Sequence, residues 1–324
     1  MRFFVTGISG FAGSHLSEIL LDRGHAVHGI SRQIRSRSLE ALHERYGRRF
    51  PIDAVRPCDI RDGALLRETL RRVKPDGVFH LAGMAFVPRA AQEPMAAYEV
   101  NLLGSIEVLA AVREAAPEAR VVLPSSGEIY GWVQPSELPI VETQPLRPIS
   151  SYSVGKAAAD LAGFQFFWSH GLDVVRARPF NHTGPGQSPD FVCSEFARAV
   201  AAAETGTGPR KLCVGNLDVE RDFSDVRDIV RGYLALFEKG VAGEAYNLAS
   251  GRAVAVRSIL DRLLGESRVE LAVETDPKKV RPKELQRIEA SISKVSAATG
   301  WQPEIPLEKT LSDLLAYWRD ELAG

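Results

Sequence analysis

Tyr152 and Lys156 stand four residues apart in Ser151-Tyr152-Ser153-Val154-Gly155-Lys156, a spacing that puts both side chains on one face of a helix. A free phenol, with a pKa of about 10, exchanges protons poorly at neutral pH. A neighbouring ammonium stabilises the phenolate, so the pair is expected to bring Tyr152 toward the range useful in acid–base catalysis. Many helices carry such a pair by chance, and only its context can give it weight. Upstream, Ser125-Ser126-Gly127-Glu128-Ile129-Tyr130 follows the apolar run Val121 to Pro124. A hydroxyl at a strand's end can bond a substrate carbonyl and steady the charge developing on its oxygen. Serines there are more often turn formers; Ser126 is the expected working residue and Ser125 the reserve.

A second cluster lies near the N-terminus, where Thr6-Gly7-Ile8-Ser9-Gly10-Phe11-Ala12-Gly13 separates a strand-like run from an amphipathic helix. Gly7 permits a tight turn, Gly10 lets the backbone approach a pyrophosphate, and Gly13 lets helix and strand pack closely. Free N–H groups at the helix start would face the phosphates. The following strand ends Gly29-Ile30-Ser31-Arg32, with Arg35 and Arg37 close behind. A carboxylate for a ribose 2′-hydroxyl is missing there, and an arginine suits a 2′-phosphate. NADP(H) is the expected cofactor, with NAD(H) as the alternative.

Strand–helix alternation supplies the frame for both clusters. Strands are predicted at 2–6, 26–30, 52–57, 77–81, 121–124 and 172–178, with helices at 11–23, 62–73, 93–116 and 151–170. Parallel strands need such crossovers, so an α/β fold is expected, a doubly wound parallel sheet of Rossmann type. Beyond Arg178 the pattern loosens into a loop, helices at 191–204, 228–238, 256–264 and 307–321, and short strands at 211–214 and 244–248. Residues 1–178 are read as the cofactor domain with the Tyr/Lys pair. Residues 179–324 are read mainly as a smaller substrate-binding cap that interleaves with it.

Bulk properties narrow the function classes. The chain has 324 residues, 45% apolar and 25% charged, with formal net charge -1, which argues against a broad nucleic-acid surface. No apolar run approaches the roughly 20 residues that cross a bilayer, so no membrane partner is expected. Cys58, Cys193 and Cys213 form neither a disulfide framework nor a metal pattern, and the seven histidines are scattered; no metal is expected, and a reducing cytoplasm is the natural compartment.

The glycine turn, His80-Leu81-Ala82-Gly83, Asn101, Ser125-Ser126 and Tyr152/Lys156 occur in order and at familiar intervals. Together they resemble the extended short-chain dehydrogenases/reductases over essentially the whole chain. The resemblance implies that Ser9 and Phe11 join the glycines at the cofactor, and that Asp59 and Ile60 lie by the adenine. It also implies that Leu81, Ala82 and Gly83 line the cofactor, that Asn101 supports the site, and that Lys156 bonds the nicotinamide ribose. Gly83 replaces the alanine of many relatives, a change expected to be harmless.

Within that family, three segments resemble the GDP-4-keto-6-deoxy-D-mannose reductases. They are Ser125 to Gly131, Arg178-Pro179-Phe180-Asn181-His182-Thr183-Gly184-Pro185-Gly186-Gln187, and Gly215 to Phe223. The likeness implies a GDP-linked 4-keto-6-deoxyhexose as substrate, reduced at C4 to GDP-D-rhamnose. Ser125 and Ser126 would touch it, Asn181 would meet the sugar diphosphate, Val192 the guanine, Arg221 and Arg281 the diphosphate, and Glu284 the ribose. Arginine's planar fork matches phosphate oxygens, although a surface arginine is commonly just an ion pair. Three alternatives stay open: a GDP-mannose 4,6-dehydratase with Glu128 as the extra base, a nucleotide-sugar 4-epimerase, and a sensing scaffold without catalysis. Relatives also imply a homodimer built as a four-helix contact from 93–116 and 151–170.

Overall fold

Alternation along the first strand already separates two layers: Phe3 and Val5 pack into one core and Phe4 into another. The computed structural model describes residues 1–280 and 284–323. The chain opens with β1 (Arg2–Thr6), α1 (Phe11–Asp22), β2 (Ala26–Ser31), α2 (Arg37–Tyr46), β3 (Val55–Pro57), α3 (Gly63–Val73) and β4 (Gly77–His80). It continues through α4 (Val87–Gln92), α5 (Pro94–Tyr98), α6 (Gly104–Ala115), β5 (Arg120–Pro124), α7 (Ser151–His170) and β6 (Val174–Pro179). Next come β7 (Asn181–Thr183), α8 (Val192–Thr205), β8 (Lys211–Val214), β9 (Glu220–Asp225), α9 (Val226–Lys239) and β10 (Ala245–Leu248). β11 (Ala253–Ala255), α10 (Val256–Gly265), β12 (Ala272–Thr275), α11 (Ser293–Thr299) and α12 (Leu307–Ala323) complete it.

Seven parallel strands form the central sheet in the order β10-β6-β5-β4-β1-β2-β3. This is a doubly wound Rossmann-type sheet whose order reverses between β1 and β4, where ligands bind at strand C-termini. Leu16 and Leu20 of α1, Leu39 of α2, and Ile229 of α9 cover one face. Leu66 and Leu70 of α3, Val108 and Leu109 of α6, and Phe166 of α7 cover the other. The seventh strand arrives after residue 240, so the chain returns to this sheet after leaving it. A separate core joins α8, α10 and α12 to β8 and β9 through Phe196, Val200, Leu212, Ile259 and Leu314.

Three expectations need correction. The strand predicted at 52–57 shrinks to Val55–Pro57, preceded by one 3-10 turn at Ile52–Ala54. It is the edge strand, matched to β2 over three residues only, and Ile52 is left 83% exposed. The helix predicted at 93–116 is interrupted by a π-helical turn at Glu99–Leu103. Also, Pro94–Ala115 does have the length and mean hydropathy (1.4) of a bilayer span. Its apolar character is that of a layer helix, since Val108, Leu109 and Val112 lie in the core against the sheet.

Candidate active site

The glycine turn is shaped by contacts that no side chain could share. Gly7 has φ +69°, and a Cβ built there would stand 2.8 Å from the Ala82 backbone. A Cβ on Gly13 would stand 2.3 Å from the Gly7 carbonyl oxygen, so α1 is seated directly on the turn. Gly10, the N-cap of α1, meets only that same carbonyl oxygen, at 3.1 Å. No side chain caps α1 and no acidic residue lies in its first turn. An anion is the group best suited to such a helix start, so these residues fit a dinucleotide's pyrophosphate.

Hydroxyls gather where β2 ends. Ser9 Oγ and Ser31 Oγ are 2.5 Å apart, and Ser38 Oγ donates to the Ser9 carbonyl at 2.9 Å. Arg32 is exposed beside them, and its charge helps hold the Asp59 carboxyl below the usual range, after the larger effect of the Arg61 hydrogen bond. Arg37 instead pairs with Glu321 of α12. Asp59 is gripped by Arg61, whose backbone N, Nε and Nη2 donate at 2.9, 3.0 and 2.9 Å. Ile60 is a core side chain against Gly104.

Behind the turn, buried His80 is fixed between Thr6 Oγ1 (2.8 Å) and Ser105 Oγ (2.9 Å). Burial, then the Lys156 charge, pulls its pKa to about 3, so it is neutral and structural. Beyond β4, the Leu81 amide donates to the Thr6 carbonyl at 3.2 Å and the Ala82 amide to the Thr6 hydroxyl at 3.1 Å. Asn101 lies in the π-helical turn, its Oδ1 accepting from Met84 N (2.8 Å) and its Nδ2 donating to Met84 O (3.0 Å). A Cβ at Gly83 would approach that Oδ1 to 3.0 Å. Glycine here leaves the Asn101 clip undisturbed, whereas an alanine Cβ would press on that oxygen.

Tyr152 and Lys156 occupy the first two turns of α7, which starts at a capping box made by Ser150 and Ser153. Tyr152 is buried against Ala90 and Ala97, with Met84 and Val87 alongside. The Ser126 hydroxyl acts on the phenol to lower its pKa, and the Glu128 charge acts to raise it. Ser126 Oγ also accepts from the Glu128 amide at 3.1 Å. The structure thus joins Ser126, Glu128 and Tyr152 in one place. The electrostatics differ from expectation: burial pushes the phenol up to about 12, with the Ser126 hydroxyl acting downward. Lys156 donates to the Pro124 carbonyl at 3.0 Å, and burial pulls it down to about 8. Removing water penalises phenolate and ammonium alike, so the two shifts diverge. The protein's own groups make Tyr152 a retained acid.

Ser125 turns away from the cleft and donates to Asp160 Oδ2 (3.0 Å) and the Ala177 carbonyl (3.2 Å). Its hydroxyl serves the core, contrary to its assignment as a substrate contact. Asn181 is half-buried at the start of β7, paired in register with Phe223 of β9. The His182 ring stacks on Phe11 at 6.0 Å, joining the β7 segment to the glycine turn. Val192 begins α8, after Phe191, whose ring meets Phe86 edge-on at 5.9 Å. Arg221 and Glu284, distant in sequence, come together at 3.6 Å, both largely buried. Arg281 lies outside the described residues. Met84 and Val87, which pack beside Tyr152, and Phe86 and Phe191, whose rings meet each other, carry no polar signature that could have marked them in the sequence.

A family profile described as GDP-mannose 4,6 dehydratase matches residues 4–314. The chain belongs to the GDP-mannose 4,6-dehydratase family. Among its relatives, the GDP-6-deoxy-D-mannose reductase of Pseudomonas aeruginosa is 36% identical, over 99% of this chain and 98% of that one. The GDP-mannose 4,6-dehydratase of Yersinia enterocolitica is 27% identical, over 97% and 93%. The solved structure of RMD from Pseudomonas aeruginosa complexed with NADPH matches with TM-score 0.85 and 34% identity, covering 99% of each chain. A Thermus thermophilus UDP-glucose 4-epimerase in complex with NAD matches with TM-score 0.85 and 29% identity, over 98% and 99%. The family thus spans reductases and dehydratases of sugar nucleotides, and this chain is an NAD(P)-dependent enzyme of that kind.

Proposed function

We propose that the protein reduces the C4 keto group of GDP-4-keto-6-deoxy-D-mannose, giving GDP-D-rhamnose, with NADPH as reductant. The observation that carries the reading is the grouping of Ser126 and Tyr152 beside Lys156 at the sheet's C-terminal edge. The near-full-length likeness to a GDP-6-deoxy-D-mannose reductase supports the same substrate. When bound, the dinucleotide supplies hydride to C4. Tyr152, whose proton is firmly held at neutral pH, gives it to the C4 oxygen as charge develops there. Ser126 donates a hydrogen bond to that oxygen and fixes its place against the phenol. Lys156, one turn further along α7, supplies a positive charge on the same helix face and would bond the nicotinamide ribose. Gly7, Gly10 and Gly13 with Ser9 and Phe11 receive the pyrophosphate. Arg32 takes the 2′-phosphate, a role supported by the serine in place of a carboxylate at the end of β2. Asn181, Val192, Arg221 and Glu284 form the GDP side, supported by the meeting of Arg221 with Glu284.

Glu128 favours a second reading. Its charge acts on Tyr152, which supports Glu128 as the extra base a dehydratase would use on the C5 proton. Absorbance of the nicotinamide separates the two. A reductase consumes one NADPH per keto-sugar, with a product heavier by two hydrogens, whereas a dehydratase turns over GDP-mannose with no net consumption. No NADPH loss with the keto-sugar would overturn the reductase reading.

We also propose a homodimer. Val154, Leu161, Phe164 and Trp168 form an exposed apolar stripe on α7, and Leu103 and Met95 are exposed on the neighbouring helix. Apolar patches of this sort mark protein–protein surfaces. The three cysteines are free, which supports a reducing, cytoplasmic setting.

A further inference from the structure

Asp160 lies one helical turn beyond Lys156 and two beyond Tyr152, on the helix that carries both. Its side chain is wholly buried, and each oxygen is used twice. Oδ1 accepts from Arg176 Nη1 (2.7 Å) and Arg178 Nη2 (2.8 Å). Oδ2 accepts from Arg178 Nε (3.0 Å) and Ser125 Oγ (3.0 Å). No acceptor capacity is left for a ligand, so this carboxylate acts only through its neighbours.

Those neighbours lead to the reacting groups. Ser125 immediately precedes Ser126, and its backbone is also locked, donating to the Ala177 carbonyl at 2.8 Å. Arg178 extends Nη1 to the Tyr130 hydroxyl (3.0 Å), which donates onward to Asn247 Oδ1 (2.7 Å). Tyr130 ends the 3-10 turn Gly127–Tyr130 that holds Glu128. Phe180, stacked on Tyr130 at 6.1 Å, leads directly into Asn181. One carboxylate thus ties together the helix of Tyr152, the strand end of Ser126, the turn of Glu128 and the strand leading to Asn181. Fully satisfied buried networks of this kind rigidify what they join.

We propose that Asp160 is the positioning residue of the active site, setting the Ser126–Tyr152 distance through the Ser125 hydroxyl. The inference rests on the reading of Ser126 and Tyr152 as the groups that meet the C4 oxygen. A small misplacement of such groups costs rate rather than affinity. Ser125→Ala cuts the arm to Ser126 and leaves both arginine pairs intact.

In steady-state reduction of GDP-4-keto-6-deoxy-D-mannose, Ser125→Ala is expected to lower kcat by about tenfold or more. KM for the sugar nucleotide and the NADPH Kd, read by fluorescence quenching, stay within about twofold. Ser125→Thr, which keeps the hydroxyl, restores most of kcat. Asp160→Asn, which keeps one acceptor oxygen, should lose more; if it fails to fold, the Ser125 pair still decides. A Ser125→Ala enzyme with wild-type kcat, or one whose loss lies in KM, overturns the positioning role, as does failure of threonine to rescue. Wild-type protein that oxidises no NADPH with this sugar overturns the reaction assignment instead.

Discussion

At Tyr152 and Lys156, burial acts in opposite directions on two neighbouring groups, leaving the phenol near 12 and the ammonium near 8. Tyr152 is then protonated throughout the neutral range, and Lys156 is the group that titrates first. Activity is expected to fall as pH rises through about 8, where Lys156 loses its charge, and a kcat/KM profile from pH 6 to 10 checks it. Linkage has its own sign here. The folded chain releases the Lys156 proton near pH 8 and the unfolded chain only near 10.5, so this residue makes stability rise with pH between those values. Lys156→Met should flatten that slope in denaturant titrations. Tyr152→Phe should lower kcat by roughly a hundredfold or more while NADPH binding persists. The grouping of Tyr152 with Ser126 was legible from residue order alone. The direction of the tyrosine shift was not, because spacing shows which groups are near and says nothing about how much water has been removed from them.

Elements hold these groups through contacts of very different legibility. The glycine turn declared itself, since tight approach leaves a residue type behind: Gly13→Ala would drive a Cβ into the Gly7 carbonyl. That variant should lose about 1–3 kcal/mol of stability and bind NADPH more weakly, measurable by thermal melting with and without the dinucleotide. The parallel strands announced themselves as β-rich runs, α1 as a periodic stretch, and α3 and α7 only as segments long enough for a helix between strands. By contrast, α2 was not anticipated; its charged sequence hides a short stripe of Leu39, Leu42 and Tyr46 behind an N-cap at Ser36. The π-helical turn at Glu99–Leu103 left no periodic trace either, although it places Asn101 against Met84. Ser125 was given a substrate role because nothing local reveals a carboxylate that comes from Asp160, 35 residues away.

At the scale of the whole molecule, the sheet order places the glycine turn, Ser126 and Tyr152 along one edge, as the alternation of strands and helices implied. The return of β10 to that sheet depends on long-range pairing with β6, which no local pattern encodes. Association of two copies through α7 and its neighbour is tested by Trp168→Asp, which removes the most exposed ring of the stripe (77%). Light scattering should show the mass falling from two chains to one. Arrival of hydride at C4, with the proton from Tyr152 going to the C4 oxygen, is tested by turnover with NADPH deuterated at the transferring position of the nicotinamide. One deuterium per product is expected, located at C4 of the sugar by NMR. Deuterium at C6, or none retained in the sugar, would contradict it.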